Sequence, residues 1–289
     1  METRLTGSSR EVIISGDRPT VLIGERINPA GKKKLAESLK AGNMDIVRQE
    51  AIAQVKAGAE VLDVNVAVFG LDEVPLLPRA VQAITEVTGV PLCIDSANPA
   101  ALQAALEGYQ GKPLINSVSG EERSLERVLP LVKKYRTAVI GLTQDDNGIP
   151  KDAKTRISIA EKIVDRAEKM GIPREDIVID PLALAIGADP NSAVIALETI
   201  REIKTRLSVN MTLGASNISF GMPDRLLINC SFLAMTIAAG ITCPVVDVAK
   251  VRASVLAIDL LLGRDKRARR YIEAFRQRQN QLSDSLLKG

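Results

Sequence analysis

The chain has 289 residues, with 38 Lys and Arg against 35 Asp and Glu, no His, three Tyr, four Phe and no Trp. That length supports one large core, and a formal charge of +3 with so few rings excludes the basic, base-stacking surface of a nucleic-acid binder. Without His, the chain has no imidazole base, no Ser-His-Asp triad and no His ligand for zinc or cobalt. Cys93, Cys230 and Cys243 are odd in number and far apart. They fit neither a disulfide framework nor a CxxC metal site, and read as reduced thiols packed inside a cytoplasmic protein.

In chain order, METRLTGSSR is polar where a signal peptide is apolar, so residues 1–19 read as an N-terminal extension. Short Val-, Ile- and Leu-rich runs follow at 20–25, 61–65, 91–95, 113–116, 138–142, 177–180, 210–213 and 243–247. They are apolar at most positions, as strands covered on both faces are. Between them lie helical patterns at 45–57, 74–88, 99–107, 122–135, 156–170, 192–206, 224–239 and 249–262. Asn98-Pro99 marks a helix start, and Gly171 followed by Pro173 marks a helix end. The apolar stretch 230–246 carries Ser231, Thr236, Thr242 and Pro244 and then meets Asp247. It is too short and too interrupted to span a bilayer, and reads as a buried helix running into a buried strand. Residues 263–289 read as a basic C-terminal helix and tail, either packed through Tyr271, Ile272 and Phe275 or steering an acidic partner.

Eight strand–helix units between residues 20 and 262 predict an α/β chain folded as a single-domain (β/α)8 TIM barrel. A doubly wound open sheet would carry GxGxxG after its first strand, and that motif is absent.

Polar residues recur where the apolar strands stop: Glu25, Asp63 with Asn65, Asp95, Asn116, Gln144, Asp180, Asn217 and Asp247. In a barrel these positions gather at the C-terminal mouth. One such residue is explained by a helix cap or an Asx-turn; the whole set predicts a binding mouth. Carboxylates and amides suit a flat heterocycle rich in N–H donors, such as a pterin or purine, because a carboxylate pairs two-pronged with a guanidine-like edge. LGASNISFG (213–221) keeps a phosphosugar site open, and the carboxylates keep a divalent-metal cluster open.

The motifs GERIN (24–28), LDVN (62–65), CIDS (93–96), INS (115–117), GLTQDDNGIPKD (141–152), IDPL (179–182), LGASNIS (213–219) and RLLIN (225–229) occur in order at these strand ends. In them the chain resembles the pterin-binding methyltransferases, which move a methyl group between methyltetrahydrofolate and a protein-bound corrinoid. That family is related to the folate domain of cobalamin-dependent methionine synthase and to dihydropteroate synthase. The resemblance implies that Asp95, Asn116 and Asp180 hold the pterin edge and that Asn217 faces the methyl-bearing nitrogen, with Arg225 nearby. It implies that Asp63, Asn65, Asp247 and Glu25 line the same pocket, with Gln144 at a position where relatives vary. Asn217 and Asp95 are thereby the expected catalytic residues, since an amide can stabilise charge developing on the folate nitrogen. It further implies a corrinoid carried by a partner protein, no metal held by this chain, and a homodimer, for which Leu226–Ala239 offers apolar surface. Two alternatives stand beside it. Dihydropteroate synthase is one, although PVVDVAKVR (244–252) lacks the His expected there; a non-catalytic folate-binding subunit is the other. The Lys32–Lys34 run reads as a solvated face, a partner contact or a contact with the folate tail.

Overall fold

The computed structural model describes the chain through residue 286. Two short strands, β1 (Thr3–Thr6) and β2 (Glu11–Ile14), precede the repeating units. Then come β3 (Ile23–Ile27), α1 (Lys33–Lys40), α2 (Asp45–Ala57), β4 (Val61–Asn65), α3 (Glu73–Thr85), β5 (Leu92–Asp95) and α4 (Pro99–Gly108). The second half holds β6 (Leu114–Ser119), α5 (Glu122–Tyr135), β7 (Ala138–Leu142), α6 (Ala153–Lys169), β8 (Ile177–Asp180) and α7 (Ser192–Arg206). It ends with β9 (Asn210–Gly214), α8 (Arg225–Ala239), β10 (Cys243–Val246), α9 (Val248–Leu261) and α10 (Arg269–Leu286). Strands β3 to β10 are parallel and close into a barrel, β10 pairing with β3, so the predicted TIM barrel is the observed one.

The uniformly apolar strands divide by alternation. Leu62 and Val64, Leu92 and Ile94, and Ile177 and Ile179 point outward into a large core shared with the helices. Val61, Cys93, Leu114, Ala138, Ile140, Val178 and Cys243 point inward into a separate core within the barrel. Because the period is two, each inward column continues upward to a polar residue: Val61 to Asp63 and Asn65, Cys93 to Asp95, Leu114 to Asn116, Val178 to Asp180.

Residues 1–19 contain an antiparallel hairpin, Thr3 opposite Ile14 and Leu5 opposite Val12. Leu5 and Ile14 are fully buried in the inner core, closing the barrel floor. Asn210, at the base of β9, donates to Thr3 Oγ1 at 2.9 Å and to the Ile14 carbonyl at 3.0 Å, which fixes the hairpin in register. Nearby, buried Asp259 of α9 accepts from the Thr20 amide at 2.8 Å and the Thr20 hydroxyl at 2.7 Å.

Several local expectations need correction. The first barrel strand lies at Ile23–Ile27 rather than 20–25. Thr20 is instead held by Asp259, and the β3–β4 register shifts between Gly24 and Ile27. Helix α1 has only Leu35 and Leu39 as buried residues, too short an apolar stripe to announce a helix. Cys93 and Cys243 are buried, but Cys230 is only half-buried, its sulfur accepting from Ser254 Oγ at 3.3 Å. On α10, Ala274 is buried and Tyr271 half-buried, whereas Ile272 and Phe275 face outward. Polar contacts dock this helix: Asp265 caps the amides of Arg270 and Tyr271, and Arg270 reaches Glu60 at 3.5 Å. The final residues, 287–289, of the expected tail lie outside the described residues. No helix among the described residues is long and apolar enough to cross a membrane.

Because Leu5 fills the barrel floor, Leu5→Ala should cost roughly 2–5 kcal/mol. Urea unfolding is the check. A loss well under 1 kcal/mol would show that the hairpin merely lies on the barrel.

Candidate functional site

Four residues from three adjacent strands meet at the mouth. The registers Asn65 opposite Asp95 and Asp95 opposite Asn116 place them side by side. Asn65 Nδ2 donates to Asp95 Oδ2 at 2.9 Å, and Asn116 Nδ2 donates to Asp63 Oδ1 at 3.2 Å. Asn65 Oδ1 accepts the Ala67 amide at 2.9 Å, so this side chain is engaged at both ends and holds Asp95. Asn116 spends one amide proton on Asp63 and keeps its oxygen as an acceptor. Strand β6 is bulged between Asn116 and Val118, and the Asn116–Ser117 peptide is cis.

The electrostatics follow from burial with little countercharge. Asp63 is 4% exposed, above the inner core. Burial pushes its carboxyl up, and the neighbouring Asp95 charge pushes it further. Burial also raises Asp95, against the bond from Asn65. Asp180, across the barrel, is pushed up to about 6, again by burial, although its carboxylate accepts from the Leu182 and Gly214 amides. Each carboxyl therefore has fewer donors than its burial calls for, a condition that a ligand edge bearing N–H groups relieves.

A second flank is different in kind. Burial raises Glu25, which accepts from Ser216 Oγ at 3.0 Å. Asp247 is paired with Lys250 at 3.0 Å and lies 3.8 Å from Arg26. Arg26 also reaches Glu50 at 3.3 Å, and Lys32 donates to the Arg26 carbonyl at 2.7 Å. Glu25 and Asp247 thus share the rim, yet the chain satisfies them with its own groups. Lys32 stands at this flank, whereas Lys33 and Lys34 are exposed.

Asn217 lies on the single turn 215–219 after β9 and is exposed. Its side chain has no hydrogen-bond partner among the described residues, and its backbone carbonyl accepts the Phe220 amide at 3.1 Å. A Cβ on Gly214 would sit 3.0 Å from Asn217 Nδ2, so the glycine makes room for this amide. Arg225 braces the turn, donating to the Ser216 carbonyl at 2.8 Å and Ser219 Oγ at 3.0 Å. A cavity of about 380 Å³ opens from Asp95 and Asn116 past Gln144, toward α5; Asp180 and Asn217 lie outside its walls.

Three residues at the site were missed from sequence. Ser216 and Arg26 were concealed inside motifs valued for other positions. Arg156, only 1% exposed, donates to the carbonyls of Pro150, Pro181 and Leu182 at 2.9, 2.9 and 2.7 Å. It ties the loop before α6 to the loop after β8, where Leu182 holds a left-handed φ of 60°. A charged residue inside an amphipathic helix gives no sign of such burial.

The fold defines a (β/α)8 barrel, and this mouth, with carboxyls and amides on its inward strand columns, is its candidate site. A family model described as "Pterin binding enzyme" matches residues 24–247, and the chain belongs to that family. It is 33% identical over 267 residues to a methylcorrinoid:tetrahydrofolate methyltransferase of Eubacterium limosum, covering 89% of this chain and 96% of the relative. It is 32% identical over 248 residues to a methionine synthase of Mycobacterium tuberculosis, covering 81% of this chain but 21% of that longer protein. Among solved structures, a Yersinia pestis dihydropteroate synthase bound to a sulfonamide drug superposes with a TM-score of 0.72 at 18% identity, covering 90% of this chain and 99% of the other. The Thermus thermophilus dihydropteroate synthase gives 0.67 at 21%, covering 89% and 99%. At these identities the likeness shows the fold.

Asp180 yields a pH test. Its folded carboxyl titrates at about 6, against about 3.9 in an unfolded chain. The folded state binds this proton more tightly, so ionisation subtracts stability as pH rises from about 4 through about 6. Asp180→Asn removes that penalty while keeping an acceptor oxygen for Leu182. Unfolding free energy should rise by roughly 1–3 kcal/mol at pH 8, and the gain should shrink as pH is lowered toward 4. Denaturant melts at the two ends would refute this if the gain were independent of pH.

Proposed function

We propose that this enzyme transfers a methyl group between tetrahydrofolate and the cobalt of a corrinoid carried by a separate protein, one pocket serving both directions. The observation that carries the proposal is the near full-length similarity to a methylcorrinoid:tetrahydrofolate methyltransferase. The donor-poor carboxyls at the mouth supply its physical counterpart. The chain has no His to offer cobalt, in keeping with a corrinoid that arrives on its own protein.

In this proposal Asp95 and Asp180 bind the guanidine-like edge of the pterin. Arrival of N–H donors favours their ionised forms by supplying hydrogen bonds that burial withholds. Asn116 offers its remaining oxygen to a ring N–H. Asn65 and Asp63 act from behind, Asn65 by orienting Asp95 and Asp63 by orienting Asn116. Asn217 faces the methyl-bearing nitrogen. A tertiary amine is a poor leaving group, so transfer from it needs positive character on that nitrogen, supported by a hydrogen bond or a water-relayed proton. A free amide meets that need without committing to a charge state. Arg225 contributes by bracing the turn that carries Asn217.

The same proposal places the enzyme in the cytoplasm as a homodimer joined through α8. Leu227 and Met235 on that helix are 64% and 47% exposed, and a second copy of the chain would cover them. Light scattering should report twice the 31.1 kDa chain mass; a monomer at micromolar concentration would remove this part.

Methyl transfer from methylcobalamin to tetrahydrofolate, followed by the cobalamin absorbance change, tests the reaction itself, and no turnover would reject it. Asp95→Ala should weaken folate binding by roughly 2–5 kcal/mol in calorimetry. Asn217→Ala should lower the transfer rate constant roughly ten- to thousand-fold, with a much smaller fall in folate affinity. A contact that strengthens as charge develops acts on the barrier more than on binding. Stopped-flow rates near wild type for both Asn217→Ala and Asn217→Asp would overturn the assignment.

A further inference from the structure

Of the four phenylalanines in the chain, two stand on mouth loops and face solvent. Phe69 is fully exposed and Phe220 is 70% exposed. Neither lines the cavity that opens from Asp95 and Asn116. Phe69 follows the site residue Asn65, whose Oδ1 holds the Ala67 amide. The Leu71 amide donates to the Val68 carbonyl at 3.0 Å, and Gly70 has a φ of 82°. That positive φ is what a type II turn requires at its third residue. Val68 and Leu71 pack on the outer core, which leaves Phe69 uncovered at the tip of the turn.

Phe220 is tied directly to the turn that carries Asn217. Its amide donates to the Asn217 carbonyl at 3.1 Å, and the Arg225 guanidinium lies 5.9 Å from its ring centroid, within cation–π range. From the other side, the Ile186 amide donates to the Ile218 carbonyl at 3.0 Å. The backbone is thus fixed while the ring faces out. In barrel order the parent strands β9 and β4 enclose β10 and β3, so the two rings bracket the flank that the chain neutralises for itself. There three acids, Glu25, Glu50 and Asp247, stand among three bases, Arg26, Lys32 and Lys250. An exposed ring at each end of that flank gains the free chain nothing, whereas a ligand that covers both gains their burial.

We propose that Phe220 and Phe69 are the apolar contacts for the corrin ring of the second substrate, Phe220 beside the transferred methyl group and Phe69 across the rim. This rests on the methyl-transfer reading and names the residues that meet its corrinoid. Direct transfer needs cobalt in line with the carbon–nitrogen bond at Asn217, and cobalt lies at the centre of a broad, nearly flat macrocycle. With the metal above Asn217, the ring extends over Phe220, which is hydrogen-bonded within the same turn. A corrin edge carries methyl groups and neutral carboxamide arms. Apolar rings around a flank with balanced charge suit that edge better than a basic or acidic groove would. Phe69 stands where only a ligand resting on the rim reaches it, which favours the corrinoid over the benzoyl ring of the folate.

Free methylcobalamin brings the corrin without a carrier polypeptide and is the probe. With tetrahydrofolate saturating, kcat/KM for methylcobalamin should fall roughly ten-fold in the double variant Phe69→Ala/Phe220→Ala. Most of it should return in Phe69→Leu/Phe220→Leu, which keeps apolar surface. A contact equal before and during transfer places the loss on KM rather than kcat. Tetrahydrofolate affinity by calorimetry should stay within about two-fold of wild type. Both positions are exposed, and circular dichroism will verify that the variants fold. A double Ala variant with wild-type kcat/KM would overturn the contact while leaving methyl transfer in place. So would a fall in folate affinity that matches the fall in rate, which would give the rings to the folate, or a change of subunit count in light scattering, which would give them to a second copy of the chain. Absence of methylcobalamin turnover in the wild type would overturn the methyl-transfer reading and the contact together.

Discussion

Carboxyl groups buried at the barrel mouth with little opposing charge are the constraint on which the rest of the site depends. Asp63 and Asp95 occupy inward columns directly above Val61 and Cys93, and Asp180 stands above Val178. A carboxylate in such a place loses water and gains little in return. The chain compensates mainly with amides: Asn65 to Asp95, Asn116 to Asp63, and the Leu182 and Gly214 backbone to Asp180, with the Cys93 thiol also bonding Asp63 and the Arg156 charge also acting on Asp180. These bonds determine which polar atoms remain available. Both polar atoms of Asn65 are engaged, Asn116 keeps its oxygen, and the three acids keep lone pairs for further donors. The barrel's two apolar cores supply the stability that lets this shortfall persist in the absence of a ligand.

The opposite flank shows what fuller compensation looks like. Glu25, Glu50 and Asp247 face Arg26, Lys32 and Lys250, with distances of 3.0–3.8 Å for the ion pairs. Gly24 permits this arrangement, since a Cβ there would run into the Gln54 side chain. That Gln54 accepts the Arg26 amide at 2.8 Å. The mouth is consequently divided: a donor-poor side built by β4, β5, β6 and β8, and a self-neutralised side built by β3 and β10. A heterocycle rich in N–H groups gains most from the first.

Much of the fold was legible because barrel strands declare themselves by being apolar on both faces and by recurring with helices. The strand-end residues were legible for the same reason, since a polar residue closing an inward column interrupts the pattern. What the sequence left concealed was pairing. Asp63 and Asn116 are 53 residues apart, and Ser216 and Glu25 are 191 apart, so only the closed barrel reveals who satisfies whom. The hairpin at the floor was hidden because Leu5 stands alone among polar residues and the apolar run Val12–Ile14 is only three residues long. Arg156 was hidden because its partners are backbone carbonyls, which leave no trace in side-chain pattern.

Depth orders the site in a way that fits a reaction shared with a second protein. Asp63 is lowest and nearly sealed, Asp95, Asn116 and Asp180 are half-buried, and Asn217 is exposed on the rim. A corrinoid held by another protein is too large to enter a barrel whose interior is packed with side chains. On the proposed function the exchanged methyl group must therefore lie at the rim, while the end of the pterin that specifies binding lies deeper. The residue that acts on the reacting nitrogen is then required to sit on a loop open to solvent, where a side chain is ordinarily mobile. The structure answers that requirement by bracing the loop from outside: Arg225 bonds Ser216 and Ser219 on either side of Asn217, and Gly214 leaves space beneath its amide. The amide is thereby held by its backbone while both of its hydrogen-bonding atoms stay free, which is how a rim position can carry a positioned donor.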